Sequence, residues 1–111
     1  MNEQSRKQKI VELNDKLRTT MAGGKVLCTS DLAAKGPVFQ IAAMALVSTF
    51  TDFNANNDPH GEHDFGQVDV RGTPVFWKID YYDLDMTMHS PDEADESVTC
   101  RVLTLMLSGD L

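Results

Sequence analysis

Between Phe65 and Asp80 the hydrophobic pattern takes a period of two, with Val68 and Val70 on one side of Arg71-Gly72 and Val75, Trp77 and Ile79 on the other. Two period-two runs joined by a two-residue turn specify a β-hairpin. Val68 and Val70 share one face of the first strand. Val75, Trp77 and Ile79 share one face of the second, with Phe76, Lys78 and Asp80 on the other. A hairpin of this kind must bury one face, so the flanking segments have to supply its cover.

Those segments carry helical spacing. Asn2 to Met21 places Ile10, Leu13 and Leu17 on one stripe, and Gly23-Gly24 supplies a stop. The first eight residues have no apolar anchor and are expected to fray. Lys25 to Thr29 reads as a short strand. Ser30 caps a short helix over Asp31–Lys35, which Gly36 ends. Pro37 suits the first turn of the next helix. From Val38 to Phe50 that helix is apolar nearly all round, which predicts a buried, central element. Beyond the hairpin, Leu84, Met86 and Met88 alternate with Asp85 and Thr87 and suggest a third, edge strand. Asp95 is a good N-cap for a last helix, whose stripe is Val98, Val102, Leu105 and Met106 and whose stop is Gly109. The expected class is α+β. A small three- to four-stranded, mainly antiparallel sheet packs against about three helices, in one domain spanning residues 1–111.

Charge narrows the partners. The net charge of −7 disfavours direct binding to nucleic acid. Met1 to Gln40 carries seven basic and four acidic residues, while Ile41 to Leu111 carries three basic and thirteen acidic. That negative field suits a basic partner or a cation. Cys28 and Cys100 form no CxxC pair, and the N-terminus lacks the apolar core of a signal peptide, so reduced thiols and a cytoplasmic setting are expected. No apolar run reaches membrane-spanning length.

The polar loop before the hairpin gathers His60, Glu62, His63 and Asp64, with Asp58 before it and His89 beyond. These nitrogen and oxygen donors can hold a divalent cation, and Glu62, His63 and Asp64 are the candidate ligands. His60 and His63 are three apart in a turn, so no HExxH helix is present, and His60-x-Glu62 has no PCxxC partner for a zinc deaminase. Asp52, Asn54, Asn56 and Asp58 alternate like calcium-loop ligands, but Asn57 stands where glycine is needed and His63 where a bidentate glutamate is needed. No glycine-rich phosphate loop and no GxSxG is present.

A second constellation is acidic. Asp80, Asp83, Asp85, Asp92, Glu93 and Asp95 crowd into a short span with Tyr81 and Tyr82. Carboxylates on a rigid hairpin can imitate a phosphate backbone and occupy a basic groove, with tyrosines as anchors.

Longer strings carry a resemblance. Asn57-Asp58-Pro59-x-Gly61-Glu62-His63-Asp64-Phe65-Gly66, Trp77-Lys78-Ile79-Asp80-Tyr81-Tyr82-Asp83, Ser90-Pro91-Asp92 and Arg101-Val102-Leu103-Thr104-x-Met106-Leu107, preceded by Leu13-Asn14-Asp15-x-Leu17-Arg18 and Gly23-Gly24, resemble a bacterial family of unknown function, number 3768 in the domain-of-unknown-function series. The resemblance implies a small accessory protein of plasmids and other mobile elements. By analogy that setting suggests interference with a host defence complex of the CRISPR or restriction type. His60 stands where family members more often carry tyrosine, and Glu93 and Glu96 where proline is common, so this chain is the more acidic there.

The leading expectation is a non-catalytic acidic interaction module without cofactor. It would occlude a basic surface of a protein or nucleoprotein complex through Asp80, Tyr81, Tyr82, Asp83, Asp85, Asp92, Glu93 and Asp95. The alternative is a small metal-binding protein or metal-dependent hydrolase centred on Glu62, His63 and Asp64. A third expectation makes the Glu62–Gly66 string architectural, fixing entry into the hairpin and capping the last helix. Monomer and homodimer are both compatible, a homodimer pairing through an uncovered Leu84–Met88 edge.

Overall fold

A computed structural model describes residues 2–111. Helix α1 (Glu3–Thr20) opens the chain. Asn2 caps it by accepting from the Ser5 N–H at 2.7 Å. The helix ends on Met21, which itself takes the left-handed conformation at φ 63° and donates to Leu17, just before the expected Gly23-Gly24 stop. Strand β1 (Lys25–Cys28) follows, then α2 (Ser30–Ala33), capped by Thr29 rather than Ser30. Helix α3 runs Pro37–Ser48, strand β2 Phe65–Val70, β3 Thr73–Tyr82 and β4 Cys100–Leu107. Single 3-10 turns occupy Glu96–Val98 and Ser108–Asp110.

The strands form one sheet in the order β1-β4-β3-β2. β2, β3 and β4 are antiparallel neighbours, while β1 runs parallel to β4, so the sheet is mixed. The β2–β3 turn holds both Arg71 and Gly72 at positive φ, 53° and 87°, which matches the twist of the strands it joins. Val75, Trp77 and Ile79 face the helices and pack with Leu17, Leu32, Ala43, Val47, Leu103 and Leu105 in the core. Trp77 lies directly across from Gly66. A Cβ on Gly66 would lie 2.6 Å from the indole Nε1, so the tryptophan takes the space a side chain would fill.

Three expectations change. The last helix is instead β4. Its stripe of Val102, Leu105 and Met106 belongs to a strand between β1 and β3 that is buried on both faces, with Leu103 and Leu105 against the helices and Val102 and Met106 on the opposite side. A strand buried on both sides loses its alternation, and its apolar run then fits a helical stripe as well. Leu84–Met88 forms no strand. It is a turn structure in which Met86 N–H donates to Asp83 O and Asp83 N–H to Met88 O, and only His89 bridges back to Tyr82. Nor is α3 buried all round. Ala43 and Val47 are enclosed, while Val38, Ile41 and Leu46 are exposed, because the helices form a single layer and nothing within the described chain covers the outer side of α3.

Candidate functional site

The loop between α3 and β2 closes on itself first. Asn54 Oδ1 accepts from the Asn56 and Asn57 N–H groups at 2.9 and 3.2 Å. Buried Asp58 accepts from the Glu62 and His63 N–H groups at 3.1 and 3.2 Å. These bonds use the alternating Asn and Asp side chains to hold backbone, in the manner of Asx turns. They also fix His63 at φ 56°, a left-handed position.

His63 then turns toward α1. Its ring stacks on Phe53 with centroids 3.8 Å apart, and its Nδ1 lies 3.0 Å from Asp15 Oδ1. Asp15 also accepts from Arg18 at 3.0 Å. The buried Arg18 guanidinium sits 5.2 Å from the Phe53 ring and 5.3 Å from the Trp77 ring, and donates to the carbonyls of Val47 and Phe50 at 2.9 and 2.8 Å. It thereby adds a donor to the Val47 carbonyl in the last turn of α3 and one to the Phe50 carbonyl just beyond it.

Glu62 turns toward a second, buried network. Its carbonyl accepts from Asn14 Nδ2 at 2.9 Å and its carboxylate from the Tyr81 hydroxyl at 3.0 Å. Asn14 Nδ2 also donates to Tyr81 Oη at 2.8 Å. Arg101 Nε donates to Asn14 Oδ1 at 2.6 Å, and its Cζ lies 5.1 Å from the Tyr81 ring centroid. Arg101 also donates to the Glu93 carbonyl. Burial pushes the Tyr81 hydroxyl well above the usual phenol range, with the charges of Glu62 and Asp64 adding to it against the Asn14 hydrogen bond. Burial lowers the Arg101 guanidinium, against the surrounding Tyr81, Glu96, Glu93 and Glu62.

Asp64 lies apart from Glu62 and His63. It borders a shallow cleft of about 270 Å³ with Asp80, Tyr81, Tyr82 and His89. Burial, then the charge of Glu62, raises its carboxyl above the usual aspartate range. The three candidate metal ligands therefore face three different environments. Among the described residues no three His, Cys, Asp or Glu side chains gather to hold a metal ion. Tyr81 already occupies one Glu62 carboxylate oxygen and Asp15 the His63 Nδ1.

The acidic candidates are also sorted by the fold. Asp92 and Glu93 both receive Arg6 of α1, at 2.9 and 2.5 Å, and His89 donates to Glu93 at 2.7 Å. The His89 hydrogen bond, with the backbone and Arg6 behind it, holds the Glu93 carboxyl down at about 2. Asp83 accepts from the Thr87 N–H at 3.0 Å, and that bond leads the lowering of its carboxyl. Asp95 accepts from the side chain and N–H of Ser97 and is lowered in the same way. Asp80 pairs with Lys78 at 3.1 Å. Asp85 is exposed and takes no hydrogen bond or ion pair among the described residues. The Tyr81 hydroxyl is spent in the interior network, whereas Tyr82 borders the cleft.

The same acidic loop exposes Leu84 (64%) and Met88 (72%). Their alternation in the sequence predicts a strand, whereas the structure places both on an exposed turn. Asn14 was missed as well, although its position four residues after Ile10 puts a polar residue on the apolar stripe of α1. Arg101 carried a comparable signal as a charge inside a run of apolar residues.

The residues that build both networks from Glu62 onward are those of the strings that carry the family likeness. The chain belongs to the family described as "Protein of unknown function (DUF3768)", which it matches over residues 28–110. The match begins at Cys28, so the contributions of α1, from Arg6, Asn14, Asp15 and Arg18, lie before it. No curated protein matches the chain significantly, and no solved structure does. No described helix is long and apolar enough to cross a membrane.

Proposed function

We propose that this protein is a non-catalytic interaction module whose contact element is the loop from Asp83 to His89, presented to a basic partner. The single observation behind this reading is that Leu84 and Met88 project from a loop that is internally hydrogen-bonded. Folding does not require large apolar side chains there, and an ordered loop loses little entropy on binding. Asp83 and Asp85 flank Leu84 with negative charge. The backbone N–H of Thr87 holds the Asp83 carboxyl below the usual aspartate range, and the Ser97 hydroxyl and N–H do the same for Asp95.

Such an element fits a partner with a basic rim around an apolar depression, as in a protein or nucleoprotein complex that holds a phosphate backbone. Its action would be occlusion of that surface, the mode expected of an inhibitor of a host defence complex. Arg6, by pinning Asp92 and Glu93, holds the base of the loop against α1.

The test is a tagged pull-down from the native host at low and high salt, with mass-spectrometric identification. One basic complex, lost as salt rises and lost with the double variant Leu84→Ala/Met88→Ala, is the expected result. Recovery of the same partner at equal yield with that variant and with Asp85→Lys overturns the reading.

A further inference from the structure

Strand β1 ends the sheet and leaves half of its backbone unpaired. The Thr29 N–H donates to Leu105 O at 3.0 Å. By the alternation of an extended strand, Leu27 and Lys25 also pair toward β4, and the N–H and C=O groups of Val26 and Cys28 turn outward. This edge is four residues long, contains no proline, and carries Lys25 as its one charge. Above it, between α1 and α3, lies an open groove of about 540 Å³ lined by Met21, Val26, Cys28, Ile41, Met44 and Ala45 among others. Ile41 at its lip is 71% exposed, and Leu27 on the other face of the strand is 47% exposed.

We propose that this edge is a homodimer interface, in which β1 pairs antiparallel with β1 of a second copy about a two-fold axis through Leu27. Self-complementarity identifies a second copy as the occupant. The outward backbone groups sit at Val26 and Cys28, equally spaced about Leu27, so one rotation pairs Val26 with the partner's Cys28 and Cys28 with the partner's Val26. Lys25 then faces the partner's Thr29, and no like charges meet across the axis. Leu27 meets the partner's Leu27 at a non-hydrogen-bonded position, where the Cα atoms lie about 4.5 Å apart. The two grooves join across the axis, so the Ile41 side chains of both copies close over a common apolar floor. The result is one continuous sheet through both chains. The Leu84–Met88 segment plays no part in it.

The experiment is sedimentation equilibrium of the full chain, paired with a cross-linking series in a Cys28→Ala/Cys100→Ala background. The wild type should sediment at twice the 12.3 kDa chain mass. Ile41→Glu, at an exposed position, should keep its circular dichroism and tryptophan emission yet sediment as a monomer, and Val26→Pro, which removes an outward N–H together with a side chain packed against the core, should also sediment as a monomer. Under mild oxidation Leu27→Cys should give a covalent dimer, because a separation of about 4.5 Å lies within disulfide range. Lys25→Cys, whose two copies are far apart in this register, should not. A wild type that stays at 12.3 kDa at about 100 µM overturns the proposal. So does a dimer that resists Val26→Pro and gives no Leu27→Cys cross-link. Leu84→Ala/Met88→Ala should leave the dimer intact, so failure here is distinct from failure of the partner-binding loop.

Discussion

Asn14 and Arg101 meet through a 2.6 Å hydrogen bond although 87 positions separate them. This contact joins α1 to the central strand, and through the other end of the same amide it reaches Glu62 and Tyr81. One neutral side chain thus satisfies a buried cation, a phenol and a backbone carbonyl at once. Truncating it leaves the Arg101 Nε–H and the Glu62 carbonyl without this partner, while Tyr81 keeps Glu62 and Arg101 keeps the Glu93 carbonyl. Asn14→Ala should therefore lower stability by about 2–4 kcal/mol in urea unfolding. Asn14→Asp, which removes the amide donors, should lower it at least as much despite its similar shape.

Gly66 and Trp77 face each other across β2 and β3, and a methyl group on Gly66 would overlap the indole. Gly66→Ala should cost about 1–3 kcal/mol, the usual range for overpacking a close-packed site. Because Trp77 is the only tryptophan, its emission should shift in the folded variant. An unshifted spectrum with unchanged stability would show that the ring does not occupy this position.

Glu93 links stability to acid. Its folded carboxyl is depressed to about 2, against an ordinary 4.5, by His89 first and by its backbone and Arg6 after. A depressed carboxyl contributes stability that is present above the unfolded value and lost as pH falls through the folded one. The wild type should therefore lose stability relative to Glu93→Gln as pH falls from about 4.5 to about 2. Parallel melting-temperature profiles for the two chains across that window would contradict the His89 and Arg6 contacts.

Asp64 has the opposite sign. Burial and the neighbouring Glu62 charge raise its folded carboxyl above the ordinary 3.8. A raised group contributes stability that is fully present below the unfolded value and lost as pH rises through the folded one. Asp64→Asn should then melt above the wild type at neutral pH, and the advantage should vanish below about 3.8. A variant that melts lower at neutral pH would mean that the carboxylate holds a partner that favours its charge.

Leu84 and Met88 should behave as surface residues in folding. Replacing both with alanine should change stability by no more than about 0.5 kcal/mol per site, while partner capture is lost. A large loss of stability would place them in the core and remove the reason for treating them as a contact element.

The hairpin was legible because its two strands keep one face toward the helices, and alternation records that asymmetry residue by residue. Arg71-Gly72 fixed the turn, Pro37 the start of α3, and the Ile10, Leu13 and Leu17 stripe the inner face of α1. In each case the neighbours of a residue in sequence carry the information. β4 was not legible, since a strand between two others with both faces buried has no alternation to show. The same limit hid the exposure of Val38 and Ile41: a hydrophobic helix reads as buried whether or not the fold has a second layer to cover it.

The candidate site shows the division most plainly. The sequence alone determined that carboxylates, histidines and tyrosines concentrate between Asp52 and Glu96, and the local Asx turns of Asn54 and Asp58 follow from it. Only the tertiary structure decided which of these groups are occupied. Hydrogen bonds and ion pairs act over about 3 Å, and the chain brings α1 against the loop and β4 only after the sheet has formed. Arg6 thus claims Asp92 and Glu93, Asp15 claims His63, and Asn14 claims Tyr81 and Arg101. What remains unclaimed is the apolar tip of the acidic loop and the open edge of β1, where the proposed contacts are to be tested.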